Sequence, residues 1–344
     1  MTFIEKLTDP ARPVIVGEVS QNHDGSLGMA HAYVDALADV GADAIKFQTH
    51  IANEELTLDD QFRVKFSYQD STRYDYWRRM EFTEEQWLEL KRHADERGIG
   101  FLSTPFSVAA VELLSRIGVD AWKIGSGDTL FREMSDAILA TGKPLIVSSG
   151  MSDWQELDGV VSRVHEAGTS LSLLQCTTQY PTRLEDVGLN NLELMKERYG
   201  VRVGLSDHSG STSPSMVAIA RGFPLIEVHV TFDRRMFGPD VPASLTVDEI
   251  GTLARFASDV ALMDASPVDK DEMAARLGNL KALFNRSVAP SRDLPAGHVL
   301  AESDLVAKKP GGGISWAEHG QFVGSRLRRE VSRNRLLKLE DLEQ

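Results

Sequence analysis

Two histidines each stand just past an apolar run that reads as a strand. Val203-Gly204-Leu205 leads to His208 in SDHSG, and Leu225-Ile226-Glu227-Val228 leads to His229 in EVHVTFD. Between them, Pro214 to Gly222 reads as a short helix opened by proline and closed by glycine. In a parallel sheet, neighbouring strands deliver such residues to the same end, so both rings can meet one metal ion. Taken singly, each histidine is read as well or better as a core residue with satisfied nitrogens. The matched positions, with Ser206, Asp207, Asp233 and Asp240 nearby, favour the pair.

Lysine is rare inside strands, because burying an ammonium costs several kcal/mol unless it is paired. Lys46 in IKFQ and Lys123 in WKIGSG both have apolar strand context. Each alone can snorkel or pair with Glu18 or Glu227. Two lysines among hydroxyls at one rim would instead make a receptor for a phosphorylated, carboxylated ligand. The strand ends offer Ser20, Gln48, Ser103, Thr104, Ser126, Ser148, Ser149, Gln175, Thr178, Tyr180 and Ser206 for that rim. The glycines of GSGD and SSGM let backbone N–H groups approach such a ligand closely. Glu18 is either a countercharge to Lys46 or a general acid/base. Cys176 follows an apolar run and reads as a packed core residue. His23, in QNHDG on the first loop, reads equally as a substrate contact or as structural.

The elements that must carry these residues alternate strictly. Eight β-like runs begin at Val14, Ala44, Gly100, Ala121, Pro144, Leu171, Val203 and Leu225, and each precedes a helix-like segment. Ser26 opens one helix and the TEEQ capping box at Thr83 another; the last spans about Val247–Met263. This pattern predicts an α/β fold, a closed (β/α)₈ TIM barrel. An open doubly wound sheet is the alternative, but the first turn, NHDGS, lacks its glycine fingerprint. The polar and aromatic insertion Ile51–Phe82 is too long for a simple connector and reads as a lid, a wall or a dimer contact. Beyond the barrel domain, residues 1–266, a linking helix is expected over 267–286. A small β-rich domain follows over 287–344, marked by short runs broken by PGGG.

The net charge of −14 argues against nucleic acid and anionic membrane as partners. Residues 287–344 carry +1, so the remaining body carries −15, and any anion it binds needs a local cluster of cations. No apolar run approaches the ~18 residues of a membrane span. One cysteine excludes an internal disulfide, and the N-terminus lacks a secretory pattern. A cytoplasmic protein is expected.

At these residues the chain resembles the sialic acid synthase family, which includes N-acetylneuraminate, legionaminate and pseudaminate synthases. The matching pieces include GEVSQNHDGS, GADAIKFQT, FLSTPFS, WKIGSGD, LIVSSGM, CTTQYPT, VGLSDHSGS and EVHVTFDRRMFGPDVPASL. The tail RSVAPSRDLPAGHVLAESDLVAKKPGGGIS is similar to that family's antifreeze-like (SAF, β-clip) domain. The resemblance implies an enzyme that condenses phosphoenolpyruvate with the open-chain aldehyde of an N-acylated hexosamine such as N-acetylmannosamine. Its products would be a nine-carbon 2-keto-3-deoxy sugar acid and phosphate, released by C–O cleavage. It implies a divalent cation, Mn²⁺ in the first place with Mg²⁺ or Co²⁺ as alternatives, held by His208 and His229. Lys46, Gln48, Thr104, Lys123, Ser126, Ser148 and Ser206 would hold phosphoenolpyruvate. Tyr180 and Asp240 would face the sugar, and Glu18 would handle the proton or the water. It further implies a homodimer in which one chain's tail reaches its partner's site in the manner of a domain swap. The family places an arginine before Pro-Gly there, and this chain has Lys309, which keeps the charge but loses the planar fork. Gln69-Asp70-Ser71-Thr72 stands near where neuraminate synthases place an asparagine toward the sugar. The competing readings are a Schiff-base aldolase using Lys46 or Lys123 and a non-catalytic carbohydrate-binding protein.

Overall fold

The computed structural model describes residues 2–9, 12–62 and 65–343. They fall into two compact units, Met1–Ala265 and Ser266–Gln344. In the first, β1 (Val14–Glu18), β2 (Ala44–Thr49), β3 (Gly100–Pro105), β4 (Ala121–Ile124), β5 (Leu145–Ser148), β6 (Leu171–Cys176), β7 (Arg202–Asp207) and β8 (Leu225–Thr231) pair in chain order. All pairings are parallel, and β8 closes on β1 from Val14↔Leu225 to Glu18↔His229. The closed barrel expected from the alternating pattern is present.

The two-residue period of each strand divides the barrel cleanly. Ile15, Ile45, Phe47, Phe101, Trp122, Val147, Leu173, Leu205, Ile226 and Val228 belong to one buried cluster that also takes in the surrounding helices. The alternate positions form a second cluster, Val14, Val16, Ala44, Leu102, Ala121, Ile146, Leu174 and Leu225, joined by Phe3 and Leu7. Two residues further along the same strands stand Glu18, Lys46, Thr104, Lys123, Ser148, Cys176 and Glu227, all buried. The interior is thus apolar below and polar at the C-terminal end of the strands.

Local signals place the helices. Ser26 caps Leu27–Asp39, its Oγ accepting from the Met29 N–H. Thr83 and Gln86 form the expected reciprocal box at the start of Glu84–Arg97. Thr246 and Glu249 form another at the start of Val247–Asp264. The helix Phe3–Thr8, with a Thr2–Glu5 box, was not anticipated; its Phe3 and Leu7 join the interior cluster. A Cβ on Gly100 would lie 2.4 Å from the Phe3 ring, so glycine there makes room for it.

Gly204 is the tightest point between the two histidine-bearing strands. A Cβ there would stand 2.0 Å from the Leu225 carbonyl oxygen, which is backbone and cannot rotate away. Gly204→Ala is expected to push β7 from β8 and destabilise the barrel by about 1–3 kcal/mol. Urea denaturation measures this as a lower midpoint at unchanged slope.

In the second unit, the stretch expected as one linking helix is two, Lys270–Arg276 capped by Asp269 and Gly278–Phe284, with a break at Leu277. Ser287–Pro290 then pairs antiparallel with Leu305–Lys308, and isolated bridges join Leu294 to Val331 and Leu327 to Leu342. Its core of Val288, Leu294, Leu300, Leu305, Leu327, Val331 and Leu337 is small. Buried carboxylates tie its loops: Asp304 accepts from His298 at 2.7 Å, Arg292 at 2.9 Å and the Ala301 N–H at 3.0 Å. The His298 hydrogen bond is the main cause that lowers the Asp304 pKa to about 2. A carboxyl lowered on folding adds stability above its unfolded value near ~3.9 and loses it as pH falls toward the folded value. Acid titration from pH 5 to 2 should therefore loosen this unit, read by the fluorescence of its Trp316. Asp304→Asn should flatten that response while lowering stability at pH 7.

Candidate active site

The polar mouth of the barrel encloses a cavity of about 310 Å³. Glu18, Lys46, Gln48, Thr104, Lys123, Ser126, Ser148, Cys176, Tyr180, Ser206, Glu227, His208 and His229 all line it. Every residue expected to bind the anion, and both histidines, therefore meet at one place. A second cavity of about 540 Å³ shares Gln48, Arg73, Tyr180 and His229 with the first and adds Asp240.

Four buried charges form the floor. The Lys46 ammonium is in contact with the Glu18 carboxylate, donates to Thr104 Oγ1 at 3.1 Å and stands 3.9 Å from Glu227 Oε2. Lys123 Nζ donates to Ser148 Oγ at 2.8 Å and pairs with Glu227 Oε1 at 3.2 Å, which also accepts from Ser206 Oγ at 3.1 Å. Burial pulls the Lys46 pKa down to about 7 against the raising effect of Glu227; the contact with Glu18 also favours the charged form. Burial opposes the Glu227 charge, but Lys123 and then Lys46 hold its pKa below the usual carboxylate value. Two lysines and two carboxylates thus share this floor. Beyond the contact of Glu18 with Lys46, Glu18 Oε1 and Glu227 Oε2 are buried without a hydrogen-bond partner.

The imidazoles lie with centroids 5.0 Å apart at 72°. His208 Nδ1 stands 3.2 Å from the Thr177 carbonyl and Nε2 3.2 Å from the Tyr180 hydroxyl; burial opposes its charge, but Cys176 and the Thr177 carbonyl raise its pKa, so a metal at Nε2 would have to displace a proton there. His229 Nδ1 is buried without a hydrogen-bond partner, 3.9 Å from Asp240 Oδ2. Burial, then His208, Lys46 and Lys123 push its pKa well below the usual histidine value, so the ring is neutral. A neutral imidazole with an unpartnered buried nitrogen, beside a second one whose Nδ1 faces the Thr177 carbonyl, fits a metal ion. Among the described residues there is no cluster of three or more His, Cys, Asp or Glu suited to a metal. A cation here would rest on two imidazoles and take its other ligands from water or substrate oxygens. Such an open set differs from a closed structural zinc site, which takes four protein ligands.

The loops hold this arrangement in place. Ser20, at φ 49°, donates through Oγ to Asp240 Oδ2 at 2.5 Å, fixing the carboxyl beside His229. Gly150 N–H donates to Ser126 Oγ at 2.9 Å, joining the two glycine turns that were expected to cradle an anion. Asp128, on the same rim, has its carboxyl raised to about 6 by burial and then by Glu55.

Some residues stand elsewhere than expected. Cys176, read as core packing, faces the cavity with Sγ 3.8 Å from His208 Nδ1. Gln175, expected at the rim, faces outward and donates to the Val187 carbonyl at 3.1 Å. Ser103 likewise turns from the mouth to bond Thr49. His23 packs on Phe82 and accepts from the Gly25 N–H, with its pKa lowered to about 3, mainly by burial. His50 stacks on Phe106, lies tilted against Trp77 and bonds Gln48 Oε1 at 3.2 Å. Asp70 is held by Arg79 and Ser67 and does not line either cavity. Lys309 belongs to the second unit, its ammonium 4.9 Å from the Phe284 ring centroid.

The fold is thus a TIM-type barrel followed by a small β-rich unit. Residues 285–343 match the SAF domain, and residues 33–268 match the NeuB family. The chain belongs to the NeuB family. An N,N'-diacetyllegionaminic acid synthase of Legionella pneumophila is 34% identical over 343 residues, covering 96% of this chain and 94% of the relative. The human N-acetylneuraminate-9-phosphate synthase is 31% identical, covering 86% and 82%. The crystal structure of an N-acetylneuraminic acid synthetase from Leptospira borgpetersenii superposes with a TM-score of 0.68 at 27% identity, covering 78% of this chain and 92% of that one. No helix among the described residues is long and apolar enough to cross a membrane.

Proposed function

We propose that this chain condenses phosphoenolpyruvate with the open-chain aldehyde of an N-acylated hexosamine, with a divalent cation, to give a nine-carbon 2-keto-3-deoxy sugar acid and phosphate. The observation that carries this reading is the convergence of two imidazoles and two ion-paired lysines on one cavity. A cation held by His208 and His229 would supply Lewis acidity at the aldehyde, raising its electrophilicity without a strong acid nearby. Lys46 and Lys123, with Thr104, Ser126, Ser148 and Ser206, would grip the carboxylate and phosphate. The lysines keep unused N–H donors beyond their carboxylate partners.

The enol carbon would form the new C–C bond as the aldehyde oxygen takes a proton to become a hydroxyl, water would add to the cationic carbon left behind and give up a proton, and that carbon's bond to the bridging oxygen would break as its hydroxyl loses a proton, leaving the ketone and phosphate. Glu18, which lines the cavity and pairs with Lys46, would take the proton from the water. Tyr180 and Asp240 would orient the sugar. The chain's NeuB membership and the names of its relatives support the reading.

Phosphoenolpyruvate with ¹⁸O in the bridging position tests it. The label is expected in the released phosphate, together with a nine-carbon keto acid in the product. Unlabelled phosphate would place the cleavage at P–O and contradict the mechanism. An imine at Lys46 or Lys123 would instead be trapped by borohydride with pyruvate; no adduct is expected, because no step of the condensation forms an imine. The same reading includes a homodimer with Lys309 of one copy serving the acceptor in the other. A truncation ending at Phe284 should lose most activity, and full activity from a monomeric truncation would remove that part.

A further inference from the structure

We propose that Arg79 is a positioning residue for this reaction: its guanidinium latches the insertion between β2 and β3 to the loop after β1, and the groups that loop holds at the mouth depend on the latch. The proposal rests on the synthase reading, because turnover is its readout.

Arg79 sits on the insertion's helix, Arg73–Met80, which opens with a reciprocal box between Thr72 and Asp75. Tyr76, Trp77 and Met80 are the buried residues of that helix. The Arg79 guanidinium stands 5.4 Å from the Tyr76 ring centroid, and Arg79 lines neither cavity at the mouth. All three of its nitrogens are engaged. Nε and Nη2 donate to the Asp70 carboxylate at 3.1 and 2.8 Å. Nη1 donates to the Asp24 carbonyl at 2.8 Å and to Asp24 Oδ1 at 2.7 Å. Asp70 is buried and also accepts from Ser67 Oγ at 2.6 Å. One side chain thus joins three stretches far apart in the chain. Donors spread over two carboxylates in fixed directions call for the planar fork of arginine; lysine carries the charge as a single point.

The loop after β1 is shaped to receive this contact. Asp24 has φ 48° and Gly25 φ 74°, and Asp24 brings both its carbonyl and its carboxylate to the same Nη1. A Cβ on Gly25 would stand 2.3 Å from the Arg79 carbonyl oxygen, so glycine is what lets the two backbones come this close.

From Asp24 the same loop runs back to the mouth. Asn22 anchors its inner end, Nδ2 donating to the Val230 carbonyl at 2.6 Å and to Ser244 Oγ at 3.1 Å. Ser20 holds the Asp240 carboxyl beside His229. Gln21 donates to Gln48 Oε1 at 2.9 Å and accepts from the Tyr76 hydroxyl at 3.3 Å, and Gln48 lines both cavities. Arg79 is the outer anchor of this loop, and losing it leaves two carboxylates without the cation they share.

The test compares the parent with Arg79→Ala, Arg79→Lys and Asp24→Ala by phosphate release with Mn²⁺ and phosphoenolpyruvate. The sugar is N-acetylmannosamine or a 2,4-diacetamido-2,4,6-trideoxyhexose, whichever the parent uses faster. Arg79→Ala is expected to lower kcat/KM for the sugar by about thirtyfold, with the KM of phosphoenolpyruvate within about threefold, because Lys46, Thr104 and Lys123 stand on strands. Arg79→Lys should recover little of that loss. Asp24→Ala should cost about tenfold, and the double variant should be no worse than Arg79→Ala, since both remove one device. Amide exchange over residues 20–25 and 67–70 should quicken by about tenfold while the barrel strands keep their protection. Added guanidinium, below denaturing concentration, should restore part of the rate to Arg79→Ala and none to Asp24→Ala. A sugar kcat/KM within about twofold of the parent in Arg79→Ala overturns the proposal. Equal losses for both substrates, with a lower urea midpoint and additive effects, overturn it as well, because they mark an arginine that only stabilises the fold. Should Arg79→Ala fail to fold, Asp24→Ala decides, and parent-like values there overturn the proposal. A parent that releases no phosphate with either sugar removes the synthase reading, and this inference with it.

Discussion

His229→Ala is expected to reduce turnover by about a thousandfold or more while leaving the barrel folded. The ring is buried yet has an unsatisfied nitrogen, so folding gains little from its polarity. Its neighbours, His208 at 5.0 Å between centroids and Tyr180 at 5.7 Å, are rings that can relax into the vacated space. What is lost is one of two protein ligands for the cation. Lewis-acid stabilisation is worth several kcal/mol, and ~4 kcal/mol corresponds to about three orders of magnitude in rate. Circular dichroism and the urea midpoint establish that the fold survives, and phosphate release measures the loss. A variant that is folded, binds Mn²⁺ as the parent does and turns over at the parent rate would show that His229 is structural.

Lys123→Met is expected to damage both activity and stability, and a second substitution separates the two. Lys123 is the nearest cation to Glu227 Oε1, at 3.2 Å, and both groups are buried. Removing it leaves the carboxylate with Ser206 and a lysine 3.9 Å away. Breaking a buried pair from one side costs about 3–5 kcal/mol, because the remaining charge is uncompensated. The kcat/KM for phosphoenolpyruvate should fall by roughly a thousandfold, as expected when charged hydrogen bonds to an anion are lost. Adding Glu227→Gln removes the stranded charge, so the double variant should recover much of the stability and none of the catalysis. Recovery of activity along with stability would mean that Lys123 only neutralises Glu227.

The mouth was legible in the sequence wherever the two-residue period of a strand could be anchored. Lys46, Lys123, Glu227 and His229 stand in apolar runs where a charge or imidazole has no place unless it faces a polar interior, and that interior is where they meet. The same period, counted from Leu174 in the interior cluster, puts Cys176 inside and Gln175 outside; the register of β6 was the missing information. Helix starts written in side-chain capping chemistry, Ser26 and Thr83, were also readable. The box at Thr2 and Glu5 follows the same chemistry. The insertion was not legible. Phe62 and Phe66 pack against Tyr76 and Trp77 of the helix Arg73–Met80, a contact between distant parts of the insertion that no local period shows. Nor does sequence show that Asp70 serves Arg79, because that contact depends on how the loop folds back.

The most direct measurement is phosphate release from phosphoenolpyruvate and an N-acylated hexosamine before and after metal is stripped with a chelator. The account predicts that turnover disappears in the stripped protein and returns with Mn²⁺ at one ion per chain, with no return in His208→Ala or His229→Ala. Undiminished condensation by metal-free protein would contradict it.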